Sequence, residues 1–299
     1  MQHFTPADLA VLAVELVPAV VLGLAGERVA DAAALWPRPL RIGLPVLCAV
    51  PYVVIAVWHQ TFSLSWLGLY AILPVAIAWL LAQAAAADPG QRGNWRDAII
   101  LLILGLPVDL RWFERAWPPG LSGLGKLLLV DAGLYGFIVI RQLRGMGFNF
   151  HLRWTDWKTG LRELAFFAPL VIGLGLALGF IHPHANLPRP SMILTWVYIF
   201  IFIAVPEELF FRAWVQNLLE RRLGSWLDPG VARKTALVIT SVLFGLSHFN
   251  KRSADFNWRY VMLATVAGIF YGRAWRENRR VPASAITHAS VDAIWSLWF

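Results

Sequence analysis

The run Val205-Pro206-Glu207-Glu208-Leu209-Phe210-Phe211-Arg212 sets two adjacent carboxylates and a guanidinium inside otherwise apolar sequence. A carboxylate at mid-bilayer depth costs roughly 2.5–3.5 kcal/mol on insertion scales, so each one needs a partner or a role. On a helix Glu208 and Arg212 lie four apart with the acid first, the favourable order for an ion pair. Glu207 is turned about 100° from its neighbour. That geometry divides their work: Arg212 holds Glu208, and Glu207 faces something else. The competing reading is that all three only pack helices together.

Two more apolar segments carry chemistry-bearing groups. In Phe244-Gly245-Leu246-Ser247-His248, Phe244 sits one turn before His248 on the same face, and Gly245 permits close approach of another helix. In His288-Ala289-Ser290-Val291-Asp292, the histidine and the aspartate share a face at i and i+4. Taken singly, a packing histidine and an intrahelical His–Asp contact account for them. Taken together they say more. Of seven histidines, only His248 and His288 fall well inside apolar segments, in the same C-terminal third as the glutamate pair. Glu, His, His and Asp converging in lipid suit hydrolysis, because these groups hold a metal or activate water.

The elements that must position them are membrane helices. The chain has 299 residues, 58% apolar and 15% charged, with 16 Trp and 18 Phe. A mean hydropathy of +0.59 leaves too little polar surface for a water-exposed globule of this size. The fold class is therefore an all-α polytopic membrane protein. Crossing about 30 Å of hydrocarbon takes about 20 helical residues. Apolar runs at 8–25, 41–58, 66–87, 98–110, 123–140, 161–181, 192–211, 235–249, 260–275 and 282–298 predict eight to ten spans. The net charge of +8 reflects basic loops and no nucleic-acid partner. Lys and Arg gather in the loops after odd-numbered segments, while the even loops hold only Arg111, Arg115, Arg189, Lys251, Arg252 and Arg259. This assigns the odd loops to the cytoplasm and both termini to the far side. The N-terminus lacks the basic start of a secretory signal, so the first apolar run is expected to stay.

The polar stretch 141–162 reads as an interfacial connector. It divides the chain into an N-terminal membrane region, residues 1–160, of unknown role, and a C-terminal region, 161–299, that holds the candidate site. The one cysteine, Cys48, permits neither an intrachain disulfide nor a cysteine metal cluster. Glu15 and Asp131 are expected to make polar helix-packing contacts or to line a cavity. His182 and His184 have metal-binding spacing in an exposed loop, where they are expected to be incidental.

EELFFR at 207–212, FGLSH at 244–248 and HASVD at 288–292 resemble, in order, the EExxxR, FxxxH and HxxxN/D motifs of the CAAX-protease and bacteriocin-processing (CPBP) family, which includes the type II CAAX prenyl endopeptidases. The resemblance covers about residues 190–299. It implies an intramembrane endopeptidase of the multi-pass bacterial plasma-membrane type, whose expected partners are the lipid bilayer and a membrane-associated or lipidated peptide or protein substrate. It also implies Glu207 as catalytic carboxylate, Glu208 and Arg212 as its structural support, and His248, His288 and Asp292 as the remaining site residues.

Two mechanisms follow from that resemblance. In one, His248, His288 and Glu207 bind zinc, which lowers the pKa of a bound water toward about 7. In the other, Glu207 with His248 activates water and the last motif steadies the oxyanion. Asn at the final motif position could donate a hydrogen bond to that oxyanion. Asp292 donates only when protonated, and ionised it is a ready ligand or a partner orienting His288, which favours a metal or that orienting role. A non-catalytic membrane scaffold or immunity factor using the same buried network is the alternative function. One conflict is already visible: in upright spans His248 lies near the outer end of its helix and His288 near the inner start of its own.

Overall fold

Ten helices account for the apolar runs of the sequence: α1 (Pro6–Ala34), α2 (Arg38–Trp58), α3 (Leu64–Ala87), α4 (Trp95–Asp109), α5 (Ser122–Ile140), α6 (Trp154–Ala177), α7 (Ser191–Leu223), α8 (Pro229–Leu246), α9 (Trp258–Asn278) and α10 (Val281–Trp298). They are seen in a computed structural model that describes residues 4–184, 191–251 and 255–299, and no strand occurs among the described residues. Seven of the ten, all but α4, α9 and α10, are long and apolar enough to cross a membrane. The protein is thus an all-α, multi-pass integral membrane protein. At 15 residues α4 is short, and α9 and α10 carry the polar groups described below. Arg189 and Arg252 of the loop-charge pattern lie outside the described residues.

The chain forms two compact units, Met1–Arg144 and Gly145–Phe299. In the first, α1 opens with a capping box: the Thr5 hydroxyl accepts from the Asp8 N–H and the Asp8 carboxylate accepts from the Thr5 N–H. The ends of α3, α4 and α5 meet at Arg141, which is buried and donates from Nε to Asp97 at 3.0 Å and from a terminal nitrogen to Asp88 at 2.6 Å. Burial alone would raise the Asp88 pKa, but the N–H groups of Arg92 and Gly93 and the Arg141 guanidinium hold it below the usual carboxylate value. Glu15 and Asp131 are both buried, and neither carboxylate oxygen of Glu15 has a hydrogen-bond partner among the described residues. His182 and His184 are exposed.

In the second unit the polar stretch becomes helical earlier than its composition suggests. Helix α6 starts at Trp154 because Asp156 accepts from the Arg153 N–H at 2.8 Å and is itself gripped by Arg280 at 2.7 Å. Only 145–153 remains irregular, and it is tied to the α9–α10 turn: Trp275 Nε1 donates to the Met146 carbonyl and the Val281 N–H to the Gly147 carbonyl. Helix α8 likewise starts before its apolar run, with Asp228 capping and Pro229 in the first turn. Small residues bring helices close to the site. Ile199, Phe200, Ala204 and Val205 of α7 pack on Ala285, Ile286, Ala289 and Ala293 of α10. Phe167, Phe211, Phe244, Ala264, Ala267 and Tyr271 form a second cluster from α6, α7, α8 and α9.

Gly147 has φ +70°, and a Cβ there would collide with the backbone carbonyl of Arg279. Gly147→Ala should therefore cost about 2 kcal/mol or more, from left-handed strain plus the overlap. Thermal unfolding in detergent measures it. Gly173→Ala on α6, where a Cβ would meet nothing within 4 Å, should leave the melting temperature unchanged or slightly raised.

Candidate active site

Helix α7 runs unbroken for 33 residues and carries the glutamate pair near its middle. The turn Val205–Glu208 is α-helical, flanked by π-helical stretches at Phe200–Ala204 and Leu209–Gln216. Such wide turns recur where a helix must re-aim side chains. Across the α-helical turn the two carboxylates diverge as the spacing predicts. Glu208 is fully buried, whereas the Glu207 side chain is 27% exposed and opens into a cavity.

Three donors surround Glu208. Arg212 Nε donates to Oε2 at 2.8 Å, the Ser284 hydroxyl donates to the same oxygen, and His288 Nδ1 lies 2.8 Å from Oε1. An ionised carboxylate only accepts, so Nδ1 of His288 carries the proton and Nε2 is turned toward the cavity. There Nε2 lies 4.0 Å from Glu207 and 3.6 Å from Asp292. Tyr271 stacks on the His288 ring with centroids 4.6 Å apart. Ser284, His288 and Asp292 follow at four-residue steps, so one face of α10 meets the glutamate pair.

His248 comes from the end of α8. Its Nδ1 lies 2.8 Å from the Phe244 carbonyl, which fixes that nitrogen as the donor and leaves a lone pair on Nε2. Lys251 Nζ stands 3.3 Å from this Nε2 and 3.6 Å from Glu207 Oε1. The expected mismatch in depth between the two histidines does not occur. Phe244 is 4.9 Å from the His248 ring and 5.8 Å from the His288 ring, centroid to centroid. The reason is that α10 begins in the interior: every residue from Val281 to Ala289 is buried, so even its eighth residue lies deep. Gly245 supplies the predicted close approach, since a Cβ there would run into Thr265 of α9.

Glu207, His248, His288 and Asp292 thus line one cavity of about 280 Å³. Its remaining wall is mostly apolar, with Phe167 and Val171 from α6, Leu263 from α9 and Trp295 from α10. The three motifs include neither Ser284 nor Tyr271. A four-residue step back from His288 would have found Ser284, whereas Tyr271 carries no signal beyond helical periodicity. Lys251, counted in the sequence only as a loop charge, stands at the centre.

The donors do not fit zinc as they stand. His248 Nε2 faces an ammonium, and among the described residues no three His, Cys, Asp or Glu side chains converge on one ion position. No step is therefore derived through a metal.

Residues 189–294 match the model of a family described as type II CAAX prenyl endopeptidase, Rce1-like, and all three motifs lie within the matched stretch. No curated protein and no solved structure matches the chain. Removing one member of the buried pair while leaving the other costs about 3–5 kcal/mol in comparable settings. Arg212→Met should destabilise by that order in detergent melts, and adding Glu208→Met should recover part of the loss because no orphaned carboxylate remains.

Proposed function

We propose that this chain, whose residues 189–294 match the Rce1-like type II CAAX prenyl endopeptidase model, is an intramembrane endopeptidase hydrolysing a peptide bond in a membrane-embedded or lipid-tethered peptide, with Glu207 activating the water. One observation carries the reading: Glu207 is the glutamate that opens into the cavity beside His248, His288 and Asp292, while Glu208 is sealed among donors. A carboxylate beside a water in an apolar-walled space is placed as a general base.

The step balances without a cofactor. Glu207 takes one proton from water as the water oxygen forms a bond to the scissile carbonyl carbon. The tetrahedral centre then collapses with cleavage of the C–N bond, and the proton on Glu207 passes to the leaving nitrogen. His288, with Nδ1–H held by Glu208, presents Nε2 to the reacting water. Asp292 stands 3.6 Å from that nitrogen, so the imidazole lies between two carboxylates, Glu208 on its Nδ1 side and Asp292 on its Nε2 side. The apolar wall of Phe167, Val171, Leu263 and Trp295 suits a lipid chain or an apolar peptide side chain and excludes bulk water.

Glu207→Ala, His248→Ala and His288→Ala should each lower cleavage by the purified protein by about a hundredfold or more, with yield unchanged for Glu207→Ala and with some loss of stability for His288→Ala, which takes a donor from buried Glu208. New peptide termini, mapped by mass spectrometry in proteoliposomes, measure this; full cleavage by the Glu207 variant would remove Glu207 as the base, and a cellular phenotype fully preserved by Glu207→Gln would instead favour the scaffold. Protein stripped of metal, and shown by elemental analysis to be so, should cleave at an undiminished rate. Activity that returns only with added zinc would contradict the metal-independent step.

A further inference from the structure

Of the polar groups that line the reacting space, His288 Nε2 already faces the carboxylates of Asp292 and Glu207, at 3.6 and 4.0 Å. Glu207 and Asp292 are carboxylates, and His248 Nε2 is a lone pair because its Nδ1–H is given to the Phe244 carbonyl. Hydrolysis nevertheless drives negative charge onto the carbonyl oxygen, which needs a positive or hydrogen-bonding group that is in place beforehand. An ionised Asp292 offers no hydrogen to it.

We propose that Lys251 is a catalytic residue whose ammonium, set between Glu207 and His248, neutralises the oxyanion of the tetrahedral intermediate. The inference rests on the hydrolase reading above. Nζ lies 3.6 Å from Glu207 Oε1 and 3.3 Å from His248 Nε2, within the same cavity. Its backbone is held on both sides. The Lys251 N–H donates to the His248 carbonyl at 3.2 Å, and the Asn257 side chain donates to the Lys251 carbonyl at 3.1 Å. The flexible stem is thereby anchored at its root, with the charge delivered to one place. An ammonium has three donors. One is taken by His248 and one is directed at Glu207, which leaves one for substrate. As Glu207 accepts the proton of water, negative charge moves from its carboxylate to the carbonyl oxygen, and the same cation serves both ends of the transfer without displacement. A low-dielectric wall strengthens each of these interactions.

The test uses full-length protein in proteoliposomes, with Cys48→Ser as the background, and the membrane peptide found to be cleaved by the parent. Lys251→Cys should lower kcat by about 100-fold or more with KM within about twofold, the scale of losing one oxyanion donor. Reaction with 2-aminoethyl methanethiosulfonate restores an ammonium at similar reach and should recover most of kcat, whereas methyl methanethiosulfonate, which is neutral, should not. Equal rescue by both reagents, or a Lys251→Cys variant as active as the parent, would overturn the role. Glu207→Gln run alongside separates the two claims, because full activity there would sink the assignment of Glu207 as the base, on which the hydrolase mechanism above rests, whatever Lys251→Cys does. A second readout needs no turnover. With the lysines carrying ¹³C-dimethyl groups, the resonance that disappears in Lys251→Arg should shift on Glu207→Gln while the others stay; an unmoved resonance would contradict the juxtaposition.

Discussion

A carboxylate with no exposure to solvent survives in this interior because Arg212, Ser284 and His288 all donate to it, and the rest of the C-terminal unit is arranged around that fact. Burying an ion costs several kcal/mol, which one partner in good geometry offsets only in part. Three donors drawn from two helices satisfy Glu208 and at the same time pin α10 against α7. The small residues Ala204, Ala285 and Ala289 allow the backbones to come close enough for this. The anchor also sets the tautomer and direction of His288, so a structural interaction becomes a chemical one one bond further along.

Glu207 illustrates the complementary constraint. It is next to Glu208 in sequence and faces a different environment, because one residue of an α-helical turn rotates the side chain by about 100°. π-Helical stretches on either side, Phe200–Ala204 and Leu209–Gln216, let α7 keep that turn aimed at α8 and α10 while remaining continuous. Among the apolar walls, the polar groups that line the cavity are Glu207, Lys251, Asp292, the two histidines, Tyr260 and Tyr271.

Much of this was legible in the sequence where a single helix settles the matter. All ten apolar runs are helices, and the i, i+4 spacings of Glu208 with Arg212, Phe244 with His248 and His288 with Asp292 translate directly into proximity. Contacts between helices were not legible. Nothing in local spacing says that Glu208 reaches Ser284 and His288, or that α10 starts inside the unit, so upright spans separated His248 from His288 wrongly. Helix starts at Trp154 and Pro229 lie in polar sequence, where capping by Asp156 and Asp228 outweighs composition. Lys251 was visible only as a loop charge. Its role depends on the turn held by His248 and Asn257, a tertiary feature.

The central claim is that two adjacent glutamates have been given separate work, one holding the fold and one meeting the water. Glu207→Gln and Glu208→Gln, each assayed for both cleavage and thermal unfolding in the same detergent, test it most directly. The account predicts that the Glu207 variant loses cleavage at an unchanged melting temperature, whereas the Glu208 variant loses stability along with activity. A Glu208 variant that melts like the parent, or a Glu207 variant that is destabilised yet still cleaves, would contradict it.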